Sequence, residues 1–125
     1  MTIRGYQALR VWQLSMDLVE KSYRVSASFP KHELYGLSSQ LRRAAVSIPA
    51  NIAEGHGRRH LGECLHHLSI ANGSLRELET HVQIAGRMEY VDEKKLHELL
   101  RDATEVARML HGLSKALRRR RSPGP

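Results

Sequence analysis

The chain is short of what builds a disulfide-stapled, sheet-based or membrane-spanning protein. A single cysteine, Cys64, rules out an intrachain disulfide, and nothing points to an oxidising compartment. Aromatic residues make up only 5% of the 125 residues, while Leu, Ala, Val, Ile and Met are plentiful, which suits helix-on-helix packing better than strands. No segment approaches the roughly 18 uncharged apolar residues of a membrane span. The opening MTIRGYQALR also lacks the apolar run of a signal peptide. These absences lead to the expectation of a cytoplasmic, all-α protein with one core. Catalytic signatures are missing too: there is no GxSxG elbow, Walker loop, HExxH or dinucleotide fingerprint. Glu77 and Glu79 in RELET are two apart on a helix, so they face different directions and cannot share a proton. An enzyme is not expected, and no cofactor is implied.

What is present is positive charge, +7 overall and unevenly placed. Arg118, Arg119, Arg120 and Arg121 run together, and Arg42–Arg43 and Arg58–Arg59 form two further pairs. Such a chain favours polyanions, although a basic helix end also complements the helix dipole.

Periodicity predicts four helices. Leu9, Trp12, Met16, Val19 and Tyr23 recur in steps of three and four between Ala8 and Ser28, forming one stripe expected to face the core. That helix should end near Phe29-Pro30, since the residue before proline avoids the helical region. Helix 2 should run from Leu34 or Leu37 to Gly55, with Gly55 and Gly57 as stop signals. Helix 3 carries Leu61, Leu68, Leu75 and Val82 at sevenfold spacing, with Cys64, Ala71, Leu78 and Ala85 as companions. Gly73 inside it costs about 1 kcal/mol relative to alanine unless a neighbour approaches closely there. Asp92 is a good N-cap for helix 4, whose stripe is Leu96, Leu99, Ala103, Val106, Leu110, Leu113 and Leu117. Short connections favour an up-down-up-down antiparallel four-helix bundle over residues 1–117, with residues 118–125 as a basic, disordered tail.

Helix 2 has more than one face to satisfy. Leu37, Leu41, Ala44, Ile48 and Ile52 share the core side. A polar strip that includes Ser47, Asn51 and Glu54 lies about a quarter turn away. The remaining side carries Val46, Pro49, Ala50 and Ala53 where an isolated bundle should be charged, which suggests a contact between copies of the chain in a ring or dimer. Pro49 removes the hydrogen bond to the Ala45 carbonyl at a cost of about 3 kcal/mol in an ordinary helix interior. A bend there would let one half of the helix follow its own bundle and the other meet a neighbour, with Ser47 or Asn51 satisfying loosened backbone groups.

For nucleic acid, the candidate contacts are Arg42, Arg43, Arg58, Arg59 and His60, with His56 nearby, and Arg118, Arg119, Arg120 and Arg121. The arginine fork suits phosphate. Aromatics do not interleave with these residues, so contacts to the RNA or DNA backbone that weaken with salt are expected. His60, Cys64 and His67 share a helical face, yet Cys64 falls in the core register and no fourth ligand stands out, so no metal is expected.

The run GLSSQLRRAAVSIPANIAEGHGRR, then LSIANGSLRELETHVQIA, together with VWQLSMDLV, SFPKHELYGL and LHGLSKALRRR, resembles the four-helix-bundle family encoded within intervening sequences of bacterial 23S ribosomal RNA genes. The similarity covers nearly the whole chain. It implies a barrel-shaped homopentamer and brings no catalytic residues. Through a more distant relative, the accessory protein of diversity-generating retroelements, it also implies nucleic acid and a reverse transcriptase as partners. A protein-binding assembly scaffold is thus a second reading beside nucleic-acid binding. His56, where an aromatic or apolar residue is expected, and the basic tail depart from the family pattern.

Overall fold

A computed structural model describes residues 5–121, Arg121 by its backbone alone. Its elements are helical: α1 Arg10–Ala27, α2 Leu37–His56, α3 Leu61–Arg87 and α4 Glu93–Arg121, with 3-10 turns at Gly5–Ala8 and Lys31–Glu33 and no strand among the described residues. Each helix packs on its neighbours in sequence, and α1 also packs on α4. The α1–α3 and α2–α4 pairs do not approach one another. The result is a four-helix bundle around a single aliphatic core.

The stripes expected of α2 and α3 are the ones that close this core. Leu37, Leu41, Ala44, Ile48 and Ile52 are buried, as are Cys64, Leu68, Ala71, Leu75, Leu78, Val82 and Ala85. In α4, Leu99, Ala103, Val106 and Leu110 are buried, and the Asp92 carboxylate accepts the Lys95 N–H at 2.8 Å, capping the first turn. The start of α2 is capped from outside the helix, where Glu33 Oε1 accepts the Leu37 N–H at 3.2 Å. A Cβ on Gly36 would stand 2.8 Å from that oxygen, so glycine is the residue that leaves the carboxylate room.

In α1 the structure overturns the expected face. The inward residues are Val11, Ser15, Leu18, Ser22, Val25 and Ser26, while Met16 and Tyr23 of the predicted stripe are exposed and Leu9, Trp12 and Val19 are half-buried. The reason lies in three serines whose hydroxyls are satisfied within their own helix. Ser15 donates to the Trp12 carbonyl at 2.8 Å, Ser22 to that of Leu18 at 2.8 Å, and Ser26 to that of Tyr23 at 3.2 Å. A hydroxyl bonded this way enters a core without the penalty of an unpaired polar group, and its small size lets helices sit close.

Gly55 is not a helix stop. It lies buried inside α2, where an added Cβ would stand 3.1 Å from both the Cys64 carbonyl oxygen and His67 Cβ. Its role is the close approach of α2 to α3. Gly57 follows the helix with ordinary right-handed dihedrals. Gly73, by contrast, has open space around it. Helix α4 continues through Arg118, Arg119 and Arg120 to Arg121, past the boundary expected at Leu117, because its hydrogen-bonded turns run on beyond its last core-facing leucine. Of the expected tail, residues 122–125 lie outside the described residues.

Candidate assembly face and basic surfaces

Two residues of the polar strip of α2, Ser47 and Asn51, meet α3 in a hydrogen-bonded network. Ser74 Oγ donates to Ser47 Oγ at 2.7 Å, and Asn51 Nδ2 donates to the Ser47 carbonyl at 2.9 Å and to Ser47 Oγ at 3.1 Å. Asn51 Oδ1 lies 3.0 Å from His67 Nδ1. With the Asn51 amide nitrogen committed to Ser47, its oxygen accepts, so Nδ1 is the protonated ring nitrogen of His67. Glu54, the third residue of the strip, stays outside the seam and pairs with Arg58 at 3.2 Å on the surface.

Of the residues that shared a metal-like spacing, His67 belongs to this seam, Cys64 is bonded outside it and His60 is exposed. His67 is held by Asn51, and the buried Cys64 thiol donates to the Arg58 carbonyl at 3.2 Å. Among the described residues no group of three or more His, Cys, Asp or Glu is placed to hold a metal ion.

On the opposite side of α2 the four expected interface positions separate. Val46 and Ala50 are exposed and Ala53 is half-buried, but Pro49 is buried within its own protomer, so the outward surface rests on the other three. The helix continues unbroken through Pro49. Because α1 turns its serine side inward, Met16 and Tyr23, 39% and 43% exposed, join this surface. So do Leu34 and Tyr35 from the turn before α2, the latter 94% exposed. Tyr23, Leu34, Tyr35 and Val46 line an open groove of about 660 Å³ with Arg42 and Arg43 at its edge.

Arg42 acts as a staple between α1 and α2. Its Nε donates to Ser26 Oγ at 2.8 Å, and its guanidinium lies 4.9 Å from the centre of the Tyr23 ring, within cation–π range. Arg43 is exposed and stands on α2 opposite His81 and Glu77 of α3. Arg58, Arg59 and His60 are exposed between α2 and α3, and Arg118, Arg119 and Arg120 are exposed on the last turns of α4. The candidate arginines thus do not form one cluster. Arg42 serves the fold, and the rest occupy a helix corner, a helix face and a helix end.

Sequence reasoning passed over the cations of α4 before the tail. Lys94, Arg101, Arg108 and Lys115 are exposed and recur at sevenfold spacing, a signal present in the sequence but eclipsed by the four consecutive arginines. Two acids of the same helix, Glu98 and Asp102, are drawn toward α1, while Glu105 pairs with Arg108. Lys21 of α1 bridges Asp102 at 2.6 Å and Glu98 at 3.1 Å. The Asp102 hydrogen bond holds Lys21 above its ordinary pKa, against the opposing effect of burial, while the Lys21 hydrogen bond holds Glu98 below its own.

The geometry defines a helical bundle with an uncovered apolar face on α1/α2 and cations gathered on α4. The chain belongs to the 23S rRNA-intervening sequence protein family, whose model matches residues 7–112. Its fold is similar to that of a protein of unknown function from the S23 ribosomal protein family of Bacteroides thetaiotaomicron VPI-5482. That similarity has a TM-score of 0.78 and 23% identity over 84% of this chain and 95% of that one. No curated protein matches the chain. Neither comparison indicates an enzyme family, and no helix among the described residues is long and apolar enough to cross a membrane.

Proposed function

We propose that this protein is a non-enzymatic, cytoplasmic up-down-up-down bundle that assembles with copies of itself through the α1/α2 face and binds RNA or DNA by phosphate contacts. Five subunits is the number that the family resemblance implies. The observation that carries the reading is the division of the surface. Met16, Tyr23, Leu34, Tyr35 and Val46 remain uncovered on one side, while α4 presents exposed cations and two of its acids, Glu98 and Asp102, are held by Lys21. An apolar surface of this kind is characteristic of protein contacts, and a basic one of polyanion contacts.

Light scattering on Ala50→Glu and Val46→Glu tests the assembly face. A carboxylate there faces its symmetry mates across a desolvated contact, so the mass should fall to that of the protomer. An unchanged oligomer mass rejects the face. A mobility shift with generic RNA and DNA across a salt series tests the second half, and absence of binding at low salt rejects it. Wild type that is monomeric at all concentrations would favour the same groove as a docking site for a different protein, such as a reverse transcriptase.

A further inference from the structure

Helix α4 carries a basic ridge. Lys94, Arg101, Arg108, Lys115 and Arg118 fall in steps of seven, seven, seven and three, and all five are exposed. Between them His97, Thr104 and His111 are also exposed, and of the acids that fall between the same cations Glu98 and Asp102 are held by Lys21 and Glu105 is paired with Arg108. From Lys94 to Arg118 the ridge extends about 36 Å at 1.5 Å per residue.

Beside this ridge runs a groove of about 570 Å³ between α3 and α4. Ser69, Asn72 and Arg76 line the α3 wall, and Thr104, Arg108 and His111 the α4 wall, with Arg118 at one end. The floor is apolar, formed by Leu68, Ala107 and Leu110 among others. Acids pair with Arg76 and Arg108 of the groove. Glu79, only 17% exposed, pairs with Arg76 at 2.7 Å, and Glu105 pairs with Arg108. Each guanidinium has five N–H donors, and a carboxylate on one edge leaves the others able to reach an anion. The groove therefore offers arginine forks and neutral hydrogen-bonding groups along its length.

We propose that the α4 ridge and the α3–α4 groove form the surface that receives the sugar-phosphate backbone of a double-helical nucleic acid, recognised by charge and shape. The inference rests on the nucleic-acid reading above and names the surface and the ligand class for it. Charge complementarity selects a polyanion. The ridge length matches about one turn of a duplex, roughly 34–36 Å. No Trp, Tyr or Phe lines the groove or the ridge, so stacking of single-stranded bases has no platform there. Among the described residues the exposed Tyr23 and Tyr35 lie on the α1/α2 side with Met16, Leu34 and Val46, and Ile70, Ile84 and Met88 are exposed on and after α3; assembly through the α1/α2 face leaves the ridge outward.

The experiment is fluorescence anisotropy on the full chain with labelled RNA and DNA duplexes of about 20 base pairs, roughly two helical turns, and with single strands of the same length. Two variants remove equal charge: the ridge triple Arg101→Gln, Arg108→Gln, Lys115→Gln, and the corner triple Arg43→Gln, Arg58→Gln, Arg59→Gln. Circular dichroism and light scattering establish that both remain folded and assembled. The ridge triple should weaken duplex binding by about 30-fold or more at low salt and reduce the slope of log affinity against log salt by about 2–3, as loss of up to three phosphate contacts requires. The corner triple should lose less than about a tenth of that factor. Equal loss in both triples, greater loss in the corner triple, or tighter binding of single strands than of duplexes overturns the proposal. In each of those cases wild-type binding keeps the nucleic-acid reading intact. Wild type that binds none of the four probes at low salt rejects that reading, and this surface with it.

Discussion

Ser74 Oγ and Ser47 Oγ meet at 2.7 Å across the α2–α3 contact, and Asn51 joins them to His67 one turn further along α2. The two helices pair most extensively in the bundle, and this polar seam fixes their register where aliphatic side chains alone would allow sliding. Asn51→Leu should destabilise the protein by about 1–3 kcal/mol, because it leaves His67 Nδ1 without a partner in a half-buried site and takes from Ser47 Oγ one of its two donors. Urea unfolding monitored by circular dichroism checks this, and a double-mutant cycle with His67→Phe should recover part of the loss.

Two glycines should respond in opposite directions to alanine. Gly73→Ala adds a methyl group to open space in a long helix and should stabilise it by about 0.5–1 kcal/mol. Gly55→Ala forces a methyl group to within 3.1 Å of the Cys64 carbonyl oxygen and His67 Cβ, both attached to rigid backbone. A loss of about 1–3 kcal/mol is expected from overpacking at that point, read as a lower melting temperature.

The Lys21 bridge makes stability depend on pH at both ends of the scale. Glu98 is held below its ordinary value of 4.5, so its contribution is present above that pH and is lost as pH falls through the lower folded value. Lys21 is held above 10.5, so its contribution is present below that pH and is lost as pH rises further. Lys21→Met should cost about 0.5–1 kcal/mol near neutrality, a modest figure because all three groups are partly solvated. Its deficit relative to wild type should narrow as the solution is acidified below pH 4.5. A constant deficit across that range would show that Lys21 acts through packing alone.

Tyr35 separates folding from assembly. At 94% exposure it has almost no packing to lose within the protomer, so Tyr35→Ser should leave unfolding of the monomer within about 0.5 kcal/mol of wild type. If the α1/α2 groove joins copies of the chain, the same substitution should shift the concentration dependence of assembly, measured by analytical ultracentrifugation. An unchanged assembly isotherm would exclude Tyr35 from the contact.

The all-helical fold and the inward faces of α2 and α3 were legible in the residue order alone. Leu41, Ile48, Leu75 and Val82 are aliphatic at helical spacing, and burying such a stripe is the dominant favourable term in folding. The basic ridge was equally periodic, yet four adjacent arginines are a louder signal than cations spaced seven apart. Periodicity also placed Val46, Ala50 and Ala53 together, but it could not say that Pro49 beside them is covered by its own chain.

What the order of residues could not decide was which side of α1 turns inward. By bulk its Trp12, Met16 and Tyr23 outweigh the Val11, Leu18 and Val25 that share the other side with Ser15, Ser22 and Ser26, and only in the packed bundle does the preference reverse. A serine that bonds its own helix is small and satisfied, so its value depends on how close a neighbouring helix comes, a quantity set by the other three helices. The same holds for Glu98 and Asp102, whose charges are withdrawn from the α4 surface by a lysine some 80 residues away. Local sequence determined the helices and their stripes. Tertiary packing decided which stripes are covered, because burial and charge pairing belong to contacts between helices.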